Sequence, residues 1–109
     1  MLGMIIAIDF DKTLIEPLRH PLKGYKLKPH AKEVIEELSK NGHVFVLNTA
    51  RYGKYRRSAV KWIKKQKLPI DTKNHHRKAQ ADLYVDDSNI FCTNIDWLEI
   101  KSGIERKSI

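Results

Sequence analysis

Met4-Ile5-Ile6-Ala7-Ile8-Asp9-Phe10-Asp11-Lys12-Thr13 is the stretch whose reading decides the fold. The apolar half predicts a buried strand over residues 4–9. Two carboxylates separated by one residue at the end of such a strand do little to stabilise a fold. Successive side chains on a strand point opposite ways, but beyond its end the backbone can turn, and both acids can converge on one point. Two negative charges held close together need a cation or a proton between them. A divalent metal, a carboxylate nucleophile and a carboxylic acid together suit phosphoryl transfer.

Outward from that stretch, strands and helices alternate. Residues 15–28 contain Pro17, Pro21 and Gly24 with no clean period and read as a loop or small hairpin flap. Pro29 sits where a first helical turn would begin. Ala31, Val34, Ile35 and Leu38 follow at offsets of three and four, and Gly42 supplies a stop. This predicts a helix over 29–41. Val44-Phe45-Val46-Leu47 reads as a second buried strand ending at Asn48-Thr49. A strongly basic helix is expected over 55–67, with Ala59, Val60, Trp62 and Ile63 as its apolar side. A short strand over 70–74 and a third convincing one over 82–85 follow, the latter ending in Asp86-Asp87. Ile95, Trp97, Leu98 and Ile104 suggest a closing helix, with residues 106–109 frayed. Strand–helix–strand units imply right-handed crossovers and a parallel sheet, and such sheets bind ligands outside the carboxyl ends of their strands. Asp9/Asp11, Asn48/Thr49 and Asp86/Asp87 should therefore face one crevice.

The chain has 109 residues, room for one domain and one core. No run approaches the roughly 20 apolar residues that cross a bilayer, so no membrane association is expected, and the N-terminal apolar run is too short and too soon followed by acids for a signal peptide. Cys92 is the single cysteine, which excludes an internal disulfide and makes a reducing cytoplasm the expected setting. The net charge of +8 favours anionic partners such as nucleic acid or phosphorylated molecules. Basic residues on the second helix, together with Tyr52, Tyr55 and Trp62, could hold nucleic acid by phosphate contacts and stacking; the plainer reading makes Trp62 core and the lysines a solvated face. His75-His76 lack metal-ligand spacing and read as surface residues, and Cys92 as a small apolar core residue.

At this point the chain resembles the haloacid dehalogenase (HAD) superfamily. Asp9-Phe10-Asp11-Lys12-Thr13 is similar to its first motif, Asp-x-Asp-x-Thr; Leu47-Asn48-Thr49-Ala50-Arg51 to its second; Lys78 to its third; and Asp86-Asp87 to its fourth. The resemblance covers about residues 4–88. It implies a Rossmann-like three-layer α/β/α sandwich with a mostly parallel central sheet, and the gaps between motifs leave no room for a cap domain. It also implies a phosphatase. Asp9 would be the nucleophile and Asp11 the acid–base. Thr49 would bond a phosphoryl oxygen, and Lys78 would neutralise the phosphate, with Lys73 and Arg77 as competitors for that role. Asp9, Asp11 through its backbone carbonyl, Asp86 and Asp87 would hold Mg²⁺. An acid at position 11 favours phosphatase or phosphomutase chemistry over dehalogenation. Lys12, Thr13, Asn48 and Arg51 are the expected substrate contacts, Arg51 as a clasp on a phosphate.

An uncapped site admits large substrates, so a nucleotide or a nucleic-acid end is the favoured phosphate ester. A homo-oligomer in which a neighbouring subunit supplies the lid is a further expectation. The rival from another class is a non-catalytic module that keeps the fold and binds nucleic acid or protein through the basic helix.

Overall fold

The apolar run after Met4 forms an inner strand of a four-stranded sheet. The computed structural model describes residues 3–73, 81–86 and 96–107. Their elements are β1 (Ile5–Ile8), α1 (Ala31–Lys40), β2 (Val44–Leu47), α2 (Gly53–Lys65), β3 (Ile70–Asp71), β4 (Leu83–Val85) and α3 (Trp97–Lys107). The strand order is β3-β2-β1-β4, and every pairing is parallel. The fold is α/β and Rossmann-like, as the alternation predicts. The chain lays β2 and β3 to one side of β1 and β4 to the other, so a topological switch point falls between β1 and β4, where parallel sheets open a crevice.

Strand alternation sorts the side chains. Ile6, Ile8, Phe45, Leu47, Ile70 and Val85 join one buried cluster with Val34, Ile35 and Leu38 of α1, Ala59 and Ile63 of α2, and Trp97 and Ile104 of α3. The alternate set includes Ala7 and Val46, which are buried, and Ile5, Val44 and Tyr84, which stay partly exposed. At the sheet's amino edge, Asp82 exchanges bonds with Ile5: its carboxylate accepts the Ile5 N–H at 2.7 Å and its own N–H donates to the Ile5 carbonyl at 2.8 Å.

Both crossover helices end in the same device. After α1, Gly42 N–H donates to the Ser39 carbonyl and His43 N–H to the Leu38 carbonyl, each at 3.1 Å, with Gly42 at φ 97°. After α2, Lys67 N–H donates to Lys64 at 3.0 Å and Leu68 N–H to Ile63 at 3.3 Å, with Lys67 at φ 57°. This is the Schellman arrangement, whose left-handed residue is usually glycine. A side chain there costs about 1–2 kcal/mol, of which glycine's extra chain entropy takes back roughly 0.5–1 kcal/mol, so Lys67→Gly is expected to stabilise the protein by roughly 0.5–1 kcal/mol. The urea midpoint should rise; a fall would contradict this.

α3 sends a long-range side-chain bond into the first motif loop. Asp96 accepts the Leu98 N–H at 2.9 Å and starts the helix. The buried Trp97 then donates its indole N–H to the Thr13 carbonyl at 2.9 Å. Trp97 and Leu98 are adjacent, so they cannot share a helix face. Trp97 and Ile104 take the core, and Leu98, expected there too, is 49% exposed. The helix also runs through Lys107 instead of fraying from Arg106. Trp97→Phe strands the Thr13 carbonyl and is expected to cost about 2 kcal/mol in urea denaturation; a cost no larger than that of an exposed substitution would contradict the role of this bond.

Candidate active site

Three predicted site residues stand at one level of the sheet's carboxyl edge. Ile8 pairs with Leu47 on one side and Val85 on the other. The next residues are Asp9, Asn48 and Asp86. The ladder continues one step past the strands: Asp9 N–H donates to the Val85 carbonyl at 3.0 Å, and Asn48 N–H to the Ile8 carbonyl at 2.8 Å. Asp9 therefore lies one strand spacing, about 4.8 Å, from the backbone of Asn48 and of Asp86. Its side chain turns back on its own chain, Oδ1 accepting the Phe10 N–H at 2.7 Å.

After Asp9 the chain makes a single tight turn. Leu14 and Ile15 both donate to the Phe10 carbonyl, at 3.1 and 3.2 Å. Phe10, Thr13, Leu14 and Ile15 go into the core, and Asp11 and Lys12 are left at the surface. Lys12 has φ 61°, a conformation uncommon for residues other than glycine. Thr13 is fully buried and its hydroxyl has no hydrogen-bond partner. It lines neither of the hollows described below, so the expected substrate contact at Thr13 is not offered by this arrangement. Its role here is packing, with its carbonyl held by Trp97.

Arg51 organises the rest. Its Nε donates to one Asp11 oxygen at 2.7 Å and its Nη2 to the other at 2.8 Å. Nη1 reaches the Pro21 carbonyl at 2.7 Å, and the Tyr25 hydroxyl and Tyr55 carbonyl at 3.2 Å each. The guanidinium lies over the rings of Phe10 and Tyr25, 4.9 and 5.5 Å from their centroids. Its side chain is 8% exposed, against 44% for Asp11. The hydrogen bonds to Asp11 hold its pKa above the ordinary arginine value; partial burial acts the other way, and Tyr25 adds to the rise. Arg51 was expected to clasp a substrate phosphate. Instead its donors are taken by the protein, and it ties Asp11 to the flap and to α2.

The flap itself is a narrow hairpin. Ile15 bridges Leu27, Glu16 N–H donates to Lys26 at 2.8 Å, and Lys28 N–H to Leu14 at 3.0 Å. Tyr25 pins its tip by bonding Ser58 of α2 at 2.7 Å and the Pro21 carbonyl at 2.8 Å. Phe10, Tyr25 and Trp62 meet edge to face, with centroids 5.3–5.9 Å apart. Trp62 is therefore a packing residue, the plainer of its two readings.

Thr49 Oγ1 accepts the Arg51 N–H at 3.1 Å, which leaves its own O–H proton to donate elsewhere. Two hollows of about 330 and 300 Å³ flank the Asp11–Arg51 pair. Both are lined by Asp11, Pro21 and Arg51; the first adds Ala50, Tyr52 and Tyr55, the second Lys12, Pro17 and Leu18. Sequence reading missed Tyr25 and Pro21. Their hydrogen-bond partners lie at least 26 residues away, apart from their bond to each other, and no local pattern announces such pairings.

Lys78 and Asp87, with Asn74, His75, His76, Arg77, Cys92 and Ile95, lie outside the described residues. Among the described residues, no three His, Cys, Asp or Glu side chains form a cluster able to hold a metal. The donor chemistry nevertheless fits Mg²⁺: Asp9 and Asp86, at neighbouring strand ends, carry the hard carboxylate oxygens that this ion prefers.

Fold and site together define a parallel α/β protein with acids at the carboxyl edge of its sheet, beside a switch point. No protein-family model matches the chain, and no curated protein does. Among solved structures, it is similar to a conserved protein from Bacteroides thetaiotaomicron, with 30% identity and a TM-score of 0.76 over 96% of this chain and 92% of that one. The chain belongs to the same family as that protein.

Proposed function

We propose that the protein is a Mg²⁺-dependent phosphomonoester hydrolase of HAD type, working in a cytoplasmic setting. The observation that carries this reading is the common level of Asp9, Asn48 and Asp86 at the sheet edge, with Asp11 and Thr49 beside them. A carboxylate, an acid–base and a hydroxyl donor, drawn from separate strand ends, serve phosphoryl transfer better than they serve stability.

In this reading an Asp9 oxygen attacks phosphorus in line. The ester P–O bond breaks, the leaving oxygen takes a proton from Asp11, and an aspartyl phosphate forms. Water then attacks phosphorus and gives a proton to Asp11. The acyl-phosphate P–O bond breaks, which restores Asp9 and releases inorganic phosphate. Proton transfer of this kind is worth about 10²–10⁴-fold in rate. Thr49 donates its hydroxyl to a phosphoryl oxygen, and Lys78 offsets the phosphate charge. Asp9, the Asp11 carbonyl, Asp86 and Asp87 would hold Mg²⁺, which when bound supplies positive charge that offsets repulsion between Asp9 and the phosphate.

Asp11 has both oxygens occupied by Arg51. Each oxygen keeps a second lone pair, so a leaving group must either use that one or displace an Arg51 bond. Hydrolysis of an aryl phosphate should depend on added Mg²⁺ and stop with chelator; chelator-insensitive turnover would overturn the reading.

The occupied Asp11 also favours a second reading, a binding module without turnover that uses the basic face of α2. Nucleic-acid binding that weakens with salt, with no hydrolysis across a broad phosphate panel, would select it.

A further inference from the structure

The hollow walled by Tyr52 and Tyr55 has no part in the chemistry so far, and the start of α2 is poorly made for a purely structural helix. Tyr52 occupies the N-cap at φ −141° and ψ 169°, with no side-chain cap bond, where Ser, Thr, Asp or Asn would satisfy a free N–H. Gly53 follows at φ 56°, and the first turn holds no acid. Tyr52 is also 78% exposed. Local rules broken together at one spot are expected where function competes with stability.

Three observations say what the hollow would receive. Asp11 lines it, as it lines the second hollow, so a group bearing the leaving oxygen can reach Asp11 from this side. Its remaining walls are two tyrosine rings, a proline and an alanine beside the Arg51 guanidinium, flat and mostly apolar surfaces suited to a planar ring. Finally, a cationic stripe leads away from it. Lys54, Arg57, Lys61, Lys64 and Lys65 are all exposed, and their offsets of three and four place them along one side of α2. The stripe is about 16 Å long at 1.5 Å per residue. Rings that stack on a base beside cations that track a backbone are the pattern of single-strand binding.

We propose that this hollow is the leaving-group subsite and takes a nucleobase, while the α2 stripe holds the backbone of the attached strand. The substrate class is then the terminal phosphate of a single-stranded oligonucleotide. This rests on the phosphatase reading and narrows it.

The test compares kcat/KM for a terminally phosphorylated oligonucleotide, the matching mononucleotide and a sugar phosphate, in wild type, Tyr52→Ala and Tyr55→Ala. The oligonucleotide should lead, and each substitution should lower the oligonucleotide-to-sugar-phosphate ratio about ten-fold. An unmoved ratio would overturn the base subsite, and a mononucleotide turned over as well as the oligonucleotide would overturn the stripe. If no phosphate ester is turned over at all, the phosphatase reading fails, and binding decides the rest. Anisotropy of a labelled single strand should then show Kd rising with salt, with a slope reduced by about one in Lys61→Ala and an affinity about ten-fold lower in Tyr52→Ala. Affinity untouched by both variants would overturn the proposal.

Discussion

Asp9→Asn is expected to leave the protein folded and to abolish hydrolysis, with kcat falling on the order of 10³-fold or more. The fold is spared because Asp9 contributes to its surroundings partly as an acceptor. Oδ1 takes the Phe10 N–H at 2.7 Å, and an asparagine carbonyl keeps that bond. Chemistry is lost because an amide oxygen is a poor nucleophile for phosphorus and cannot form the acyl phosphate. A solvated turn with no catalytic role makes the opposite forecast, since asparagine is at home in such turns. Steady-state rates on an aryl phosphate with Mg²⁺, set beside a urea melt, separate the two. Full activity in the variant would sink the nucleophile assignment.

Arg51→Ala is expected to have the largest effect on stability, about 3 kcal/mol, and to free the flap. Five contacts to oxygen and two to aromatic rings converge on one guanidinium, at the end of a side chain that is 8% exposed. Hydrogen bonds to charged groups are worth about 1.5–3 kcal/mol each when buried. That figure is discounted here because Asp11 is 44% exposed and its share is screened by solvent. Without Arg51, Pro21 loses its guanidinium contact and the flap is tied to α2 mainly through Tyr25 and Ser58. Trypsin should then cut at Arg19, Lys23 or Lys26, all exposed on the flap. Arg51→Lys should restore less than half of the loss, because an ammonium cannot match the fork that bridges both Asp11 oxygens. A substrate clasp would behave differently, raising KM with stability and flap protection unchanged.

Much of the fold was legible because it follows from period and punctuation. Val44–Leu47 matches its predicted bounds, and α1 falls within 29–41 with Gly42 as its stop. Their signals are local: an apolar run in one case, an amphipathic face closed by glycine in the other. α2 starts two residues earlier than expected, because Tyr52-Gly53 reads as a loop and only the observed backbone makes it a helix start. β3 stops at Asp71, since its few residues need β2 to define them. Placing Asp9, Asn48 and Asp86 at one edge needed only parallel strands of matched register. The Arg51–Asp11 pair was not legible: the partners are 40 residues apart, and an arginine after a phosphate motif reads first as a ligand for substrate. The Thr13–Trp97 bond was out of reach for a similar reason, since a place in the motif says nothing of a partner 84 residues away.

The most direct test is to trap the enzyme during turnover and ask where phosphate is held. Acid-quenched protein, taken from a rapid mix with excess phosphate ester and Mg²⁺, is reduced with borohydride, which converts an acyl phosphate to an alcohol, and is then mapped by peptide mass spectrometry. Homoserine is expected at position 9 and nowhere else. Steady release of phosphate with residue 9 unmodified, or with the label on another residue, would contradict it.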